Sequence, residues 1–230
     1  QQEASVDAKH VKPNPEDMKN DLSSIRREDS QRSLSKQVVS ASPIEQMRLW
    51  LDEAIRSETW EPTAFTLSTA DSEGKPSGRI VLLKDLTHQG LVFYTNYNSR
   101  KGRHIEANPS AAAVFYWPEL ERQVRVEGHV EKEEPWRSEE YFQSRPENSR
   151  LGAWASDQST AIPSREYLEK RMKEVTDQFK DQTISRPPNW GGYILKPRLF
   201  EFWQGRENRL HDRIEYYLYE GEWKIQRLAP

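Results

Sequence analysis

The chain has 230 residues, with 34 Lys/Arg against 37 Asp/Glu and a net charge of -3, so it has no global attraction to nucleic acid or an anionic membrane and any anion site must be local. The absence of cysteine excludes disulfides, thiolate metal sites and cysteine nucleophiles, and no apolar run reaches the length of a membrane span. Eight Trp, nine Tyr and seven Phe exclude wholesale disorder despite a hydrophobic fraction of 34%, and the length suits one domain.

Residues 1–42 show no hydrophobic period and read as a mobile polar tail, within which Arg26-Arg27-Glu28 is a short basic patch. A cytoplasmic protein is expected, and a start at Gln1 rather than Met is compatible with a targeting segment already removed. The remainder, residues 43–230, reads as a single domain. Ser42-Pro43 supplies an N-cap and an N1 proline, and Ile44, Met47, Leu51, Ala54 and Ile55 follow at helical spacing. Beyond Pro62 the period falls towards two, which predicts strands over 64–69, 78–85, 91–96, 111–117 and 123–132, with a short basic helix from Asn98 to Ala107 between the third and fourth. Helices are predicted over 134–144, 151–157 and 164–179, punctuated by Pro146 and Pro163. Strands resume at 192–196, 199–204, 210–219 and 223–227. The expected fold is α+β, a mostly antiparallel barrel with peripheral helices.

Several constellations carry chemistry. The densest is Phe200–Arg213, FEFWQGRENRLHDR, read as strand, turn and strand, with Arg209, His211 and Arg213 on one face of the second strand. Two guanidiniums and an imidazole on one face suit an anion. Arg79–Lys84, RIVLLK, brackets an apolar strand with two cations, which suits a flat ligand lying along Ile80, Val81 and Leu82. Asn98-Ser99-Arg100-Lys101-Gly102 opens a helix, where free N–H groups and two cations make a phosphate cradle. Tyr141 and Arg145 share a helical face, with Ser149 just beyond Pro146, and together they offer a phenol, a guanidinium and a hydroxyl to phosphate oxygens.

Taken together, these segments resemble the pyridoxine/pyridoxamine 5'-phosphate oxidase family from about Pro43 to Pro230, with FEFWQGRENRLHDR as the most specific stretch. The resemblance implies a split-barrel flavoprotein, a homodimer with FMN at the interface, and oxidation of pyridoxine or pyridoxamine 5'-phosphate to pyridoxal 5'-phosphate as oxygen is reduced to hydrogen peroxide. No metal is implied. Position by position it places FMN contacts on Arg79, Ile80, Val81, Leu82, Lys84, Tyr94, Thr95, Arg100, Lys101, Gln123, Gln158, Ser159, Trp203 and Arg213. It places the substrate phosphate on Lys84, Tyr141, Arg145 and Ser149, and sets Arg209, Leu210 and His211 beside the substrate ring, with Arg209 and His211 as catalytic residues. Arg26 is the arm's substrate contact, although Asp29 stands where the family pattern has Tyr.

Overall fold

The computed structural model describes residues 32–230. Their nine strands are β1 (Ala64–Ala70), β2 (Pro76–Leu82), β3 (Asp85–Thr87), β4 (Gly90–Asn96), β5 (Ser110–Trp117), β6 (Arg122–Lys132), β7 (Trp190–Gln204), β8 (Asp212–Tyr219) and β9 (Glu222–Leu228). They form one sheet in the order β2-β1-β5-β6-β7-β4-β3, with β8 added to β7 and β9 to β8, and every pairing is antiparallel. The helices are α1 (Pro43–Arg56), α2 (Arg100–Ala107), α3 (Pro135–Ser144), α4 (Glu147–Ala155) and α5 (Arg165–Gln178). This is the expected split barrel with peripheral helices.

Period-two burial explains the sheet. Phe65 and Leu67 of β1, Ala113, Phe115 and Trp117 of β5, and Val124 and Val126 of β6 all point into one core. Helix α1 closes it with Met47, Trp50 and Ala54, and the Trp50 ring meets Phe202 edge-on at 5.2 Å. A second, smaller core of Phe142, Leu151, Ala155, Val175, Ile184 and Trp190 joins α3, α4 and α5 to the start of β7.

The two strands expected over 192–196 and 199–204 are one strand. Its residues 190–195 pair with β4 and its residues 199–204 with β8, while its other edge pairs with β6 from Tyr193 to Gln204. Pro197 looks like a break in the sequence, yet it falls in the gap between β4 and β8, so that edge asks for no N–H there. Opposite it the β6 register shifts at Glu127/Gly128, and a Cβ on Gly128 would lie 2.0 Å from the Lys196 carbonyl oxygen.

Two other expectations are corrected. The strand expected from 210 starts at Asp212, because residues 207–209 form a 3-10 turn in which Asn208 and Arg209 have φ of 57° and 59°. Arg209, His211 and Arg213 therefore do not share a strand face. The tail expected over 1–42 also contains packed residues: Leu34 is buried in the main core, its N–H donates to Asp212, and the Tyr216 hydroxyl donates to the Ser40 carbonyl. A single leucine has no period to betray it.

Gly102 marks where α2 sits tightest, since a Cβ there would approach the Tyr97 carbonyl oxygen to 2.0 Å. Gly102→Ala should lower Tm by about 2–12 °C, the range for an overpacking cost of roughly 1–3 kcal/mol in a chain of this size. Gly152→Ala is the control, because nothing lies within 4 Å of its added Cβ, and it should not lower Tm. Equal Tm values for both variants would show that α2 can move.

Candidate active site

A cleft of about 670 Å³ opens between β2, β4, the start of α2 and the elbow joining α3 to α4. Ile80, Val81 and Leu82 give it an apolar wall on an edge strand, and Tyr94, Thr95 and Trp190 form part of its inner surface. Ile80 is 64% exposed and Leu82 38% exposed, so this wall is an open apolar face.

One end is cationic because α2 begins there. Ser99 caps the helix by accepting from the Gly102 N–H at 3.3 Å, which aims the first turn and Lys101 at the cleft. Lys101 is only 8% exposed, and its Nζ donates to the Thr95 hydroxyl at 3.0 Å and to Gln158 Oε1 at 3.3 Å. Both partners are neutral. Burial, helped by the nearby Arg79 charge, pulls the ammonium down to about 8. Arg79 donates to Thr69 Oγ1 at 2.6 Å and to the Leu67 and Ser77 carbonyls, and burial followed by Arg100 lowers its pKa as well. Three cations thus gather without a carboxylate among these contacts, an arrangement stabilised by an anion.

The other end is built by helix punctuation. Helix α3 ends at Ser144 and α4 begins at Glu147, so Arg145 and Pro146 form the elbow, and Tyr141, Arg145 and Ser149 all face the cleft. The Arg145 guanidinium lies 4.6 Å over the Trp190 ring, and its Nη1 is buried with no hydrogen-bond partner among the described residues. Burial is the main cause lowering its pKa. A guanidinium with an unpaired buried N–H is a vacant anion contact.

Of the expected contacts, Ile80, Val81, Leu82, Lys84, Tyr94, Thr95, Lys101, Tyr141, Arg145, Ser149 and Gln158 line this cleft. Arg79 and Arg100 do not line it, although the Arg79 charge acts on Lys101 and the Arg100 charge on Arg79. Ser159 is exposed and does not line the cleft, and Arg26 lies outside the described residues. Trp190, Asn96, Ser144 and Ser156 line it although sequence reasoning passed over them. Trp190 follows Pro187-Pro188, which reads as loop, and no local pattern distinguishes it.

The remaining expected residues form a separate cluster. Gln123, Trp203 and Arg213 are direct cross-strand partners on β6, β7 and β8, so their side chains share one face. The His211 ring sits 4.6 Å from Trp203, and Arg209 and Leu210 are exposed on the adjoining turn. Buried Glu201 holds Arg213 at 2.6 Å and 3.2 Å and also takes Arg125 at 3.2 Å, which raises the pKa of Arg213. None of this cluster lines the cleft. The Arg206 backbone N–H donates to His211 Nδ1 at 3.0 Å, so a neutral His211 carries its proton on Nε2.

The donor set suits FMN, a flat ring with a phosphate tail, because an apolar strand face adjoins a cationic helix start. An FMN phosphate seated against Lys101 would make binding pH-dependent. The apoprotein lysine titrates at about 8, and a phosphate dianion beside it would raise that value. Binding takes up protons, so affinity should fall as pH rises from 7 to 9, a range above the second phosphate pKa of about 6. Fluorescence titration of the apoprotein measures this, and Lys101→Met should flatten the profile. A flat wild-type profile would remove Lys101 from the anion site.

Comparison with known proteins gives a consistent picture. Residues 51–179 match the family described as pyridoxamine 5'-phosphate oxidase, and residues 190–230 match the pyridoxine 5'-phosphate oxidase C-terminal dimerisation region. A pyridoxine/pyridoxamine 5'-phosphate oxidase from Neisseria meningitidis serogroup C is 53% identical over 210 residues, covering 91% of this chain and 100% of the relative. One from Cyanothece sp. is 50% identical over 209 residues, covering 91% and 98%. Among solved structures, PhzG from Burkholderia lata 383, in complex with tetrahydrophenazine-1-carboxylic acid, superposes with a TM-score of 0.82 at 30% identity over 87% of this chain and 100% of its own. With a family match spanning more than half its length and relatives at half identity over nearly all of it, the chain belongs to the pyridoxamine 5'-phosphate oxidase family.

Proposed function

We propose that the cleft seats FMN along β2 with its phosphate on Arg79, Arg100 and Lys101, and seats a substrate phosphate on Lys84, Tyr141, Arg145 and Ser149. The activity is FMN-dependent oxidation of pyridoxine 5'-phosphate or pyridoxamine 5'-phosphate to pyridoxal 5'-phosphate, with oxygen as the final acceptor. The observation that carries the substrate assignment is the buried, unpartnered Nη1 of Arg145 beside a hydroxyl and a phenol. FMN, when bound, supplies the capacity to accept a hydride from the substrate carbon.

The chain's residues supply position and electrostatics. Arg145 is always charged and binds two phosphate oxygens at once, so it fixes the substrate's distance from the β2 wall. Thr95 and Gln158 hold Lys101 against the cofactor end, which keeps the two anions on separate cations. Arg209 covers the substrate face away from the cofactor and offsets charge as the hydride leaves, while His211 donates from Nε2 to a ring substituent.

Arg209 and His211 lie outside the cleft of their own chain, on the segment that matches a dimerisation region. The reading therefore joins two half-sites across a homodimer, the cleft from one chain and the Gln123, Trp203 and Arg213 row with its turn from the other. The partner also covers the exposed Ile80 and Leu82.

Under anaerobic conditions, yellow protein should bleach with pyridoxine 5'-phosphate and recolour in air. Bleaching by a reduced nicotinamide but not by the vitamin phosphate would sink the assignment in favour of a reductase. Arg209→Leu should keep FMN and lose turnover.

Shared half-sites allow a stricter check. Arg145→Ala and Arg209→Leu chains, each nearly inactive, should recover about a quarter of wild-type activity when dissociated and re-associated in equal amounts, because half the dimers are mixed and each mixed dimer has one intact site. No recovery, with mixed dimers present by mass spectrometry, would place both arginines in the same half-site.

A further inference from the structure

We propose that Trp190 is the positioning residue that makes the cleft selective for a phosphorylated substrate, by holding Tyr141 and Arg145 in the geometry that meets the phosphate. This rests on the assignment of that phosphate to Arg145. The indole lies in a stack of parallel rings: Tyr94 is 5.6 Å away at 14° and Tyr141 6.2 Å away at 8°, with Tyr94 and Tyr141 themselves 3.9 Å apart. Arg145 rests over the same indole at 4.6 Å. Both phosphate donors are therefore referred to one ring.

That ring is itself fixed. Trp190 is 6% exposed, Phe142 meets its edge at 5.3 Å, and its carbonyl accepts from Arg186 at 2.6 Å, while Arg186 is also bound to Glu139 of α3. The two glycines that follow let their neighbours approach, since a Cβ on Gly191 would lie 2.2 Å from the Tyr97 hydroxyl and 2.9 Å from Ser138 Oγ of α3, and one on Gly192 2.9 Å from the Tyr94 ring. Arg145 meets no carboxylate in its described contacts, so the indole face takes the role that an acidic partner would otherwise fill. The distinction has a functional consequence. A carboxylate would compete with phosphate for the guanidinium N–H groups, whereas a ring face orients the cation and leaves those groups open.

The test compares pyridoxine 5'-phosphate with unphosphorylated pyridoxine in the FMN-loaded dimer of three variants. Trp190→Leu should raise KM for the phosphate ester about ten-fold with kcat within about two-fold, and leave kcat/KM for pyridoxine unchanged. Trp190→Phe, which keeps an aromatic face, should retain most of the discrimination. Arg145→Ala reports on the underlying assignment. Discrimination lost in Arg145→Ala but kept in Trp190→Leu overturns this inference alone, and discrimination kept in both overturns the phosphate assignment and this inference with it. Equal losses on both substrates in Trp190→Leu would make Trp190 ordinary core and also overturn it. If Trp190→Leu does not fold, Trp190→Phe combined with Arg145→Ala decides: the small KM effect of Trp190→Phe should vanish when Arg145 is absent, and additive effects overturn the proposal.

Discussion

Hydrogen bonding along both edges of β7 is the constraint on which the rest depends. Residues 193–204 of this fifteen-residue strand pair with β6 on one side, and on the other residues 190–195 pair with β4 and residues 199–204 with β8. A strand held in this way cannot bend freely, so it fixes the positions of whatever stands at its ends. Trp190 stands at one end beneath the substrate end of the cleft, and Trp203 near the other in the Gln123 and Arg213 row. At roughly 3.3 Å per residue, thirteen residues separate the two indoles by about 40 Å of contour. No residue of the Gln123, Trp203 and Arg213 row lines the cleft, so one chain presents two separate clusters.

The cleft's electrostatics follow from what the chain leaves out. Several cations elsewhere are paired with carboxylates: Arg122 with Glu53, Arg125 and Arg213 with Glu201, and Arg206 and Arg227 with Asp212. Around the cleft the matching stops. Among the described residues Lys101 donates to neutral oxygens, and Arg145 meets a ring face. Burying cations without anions destabilises the empty fold, and the depressed Lys101 and Arg145 pKa values are that cost expressed as proton affinity. Anionic ligands relieve it, which turns local strain into ligand affinity.

Most of the barrel was legible because strand burial has period two and the turns carry Gly, Asn and Pro. The cleft's cations were legible as well, since Arg100-Lys101 follows a capping serine and Tyr141 with Arg145 brackets a helix end. The failures share a cause. β7 reads as two strands, over 192–196 and 199–204, because a sequence does not reveal which strand edge lacks a partner, and Arg209 reads as part of a strand face because left-handed backbone at a non-glycine residue leaves no local mark. Trp190 was missed for the same reason: its importance comes from three rings and a guanidinium that converge from β4 and α3.

The proposed division into half-sites would also explain why the apolar wall of the cleft sits on an edge strand. β2 pairs only with β1, so its other edge and the exposed Ile80 and Leu82 are open, which in a monomer invites unwanted association. A flat ligand beside that wall covers part of it, and a second chain laid over the ligand covers more. Burial of apolar area then stabilises dimer and cofactor together, because neither alone removes the whole wall from water. The Gln123, Trp203 and Arg213 row offers an amide, a ring and a cation on one face, which is the chemistry needed to close over a flat anion from the far side. On the proposed arrangement, cofactor binding and dimerisation would be thermodynamically linked, and the stability of each would rise with the occupancy of the other.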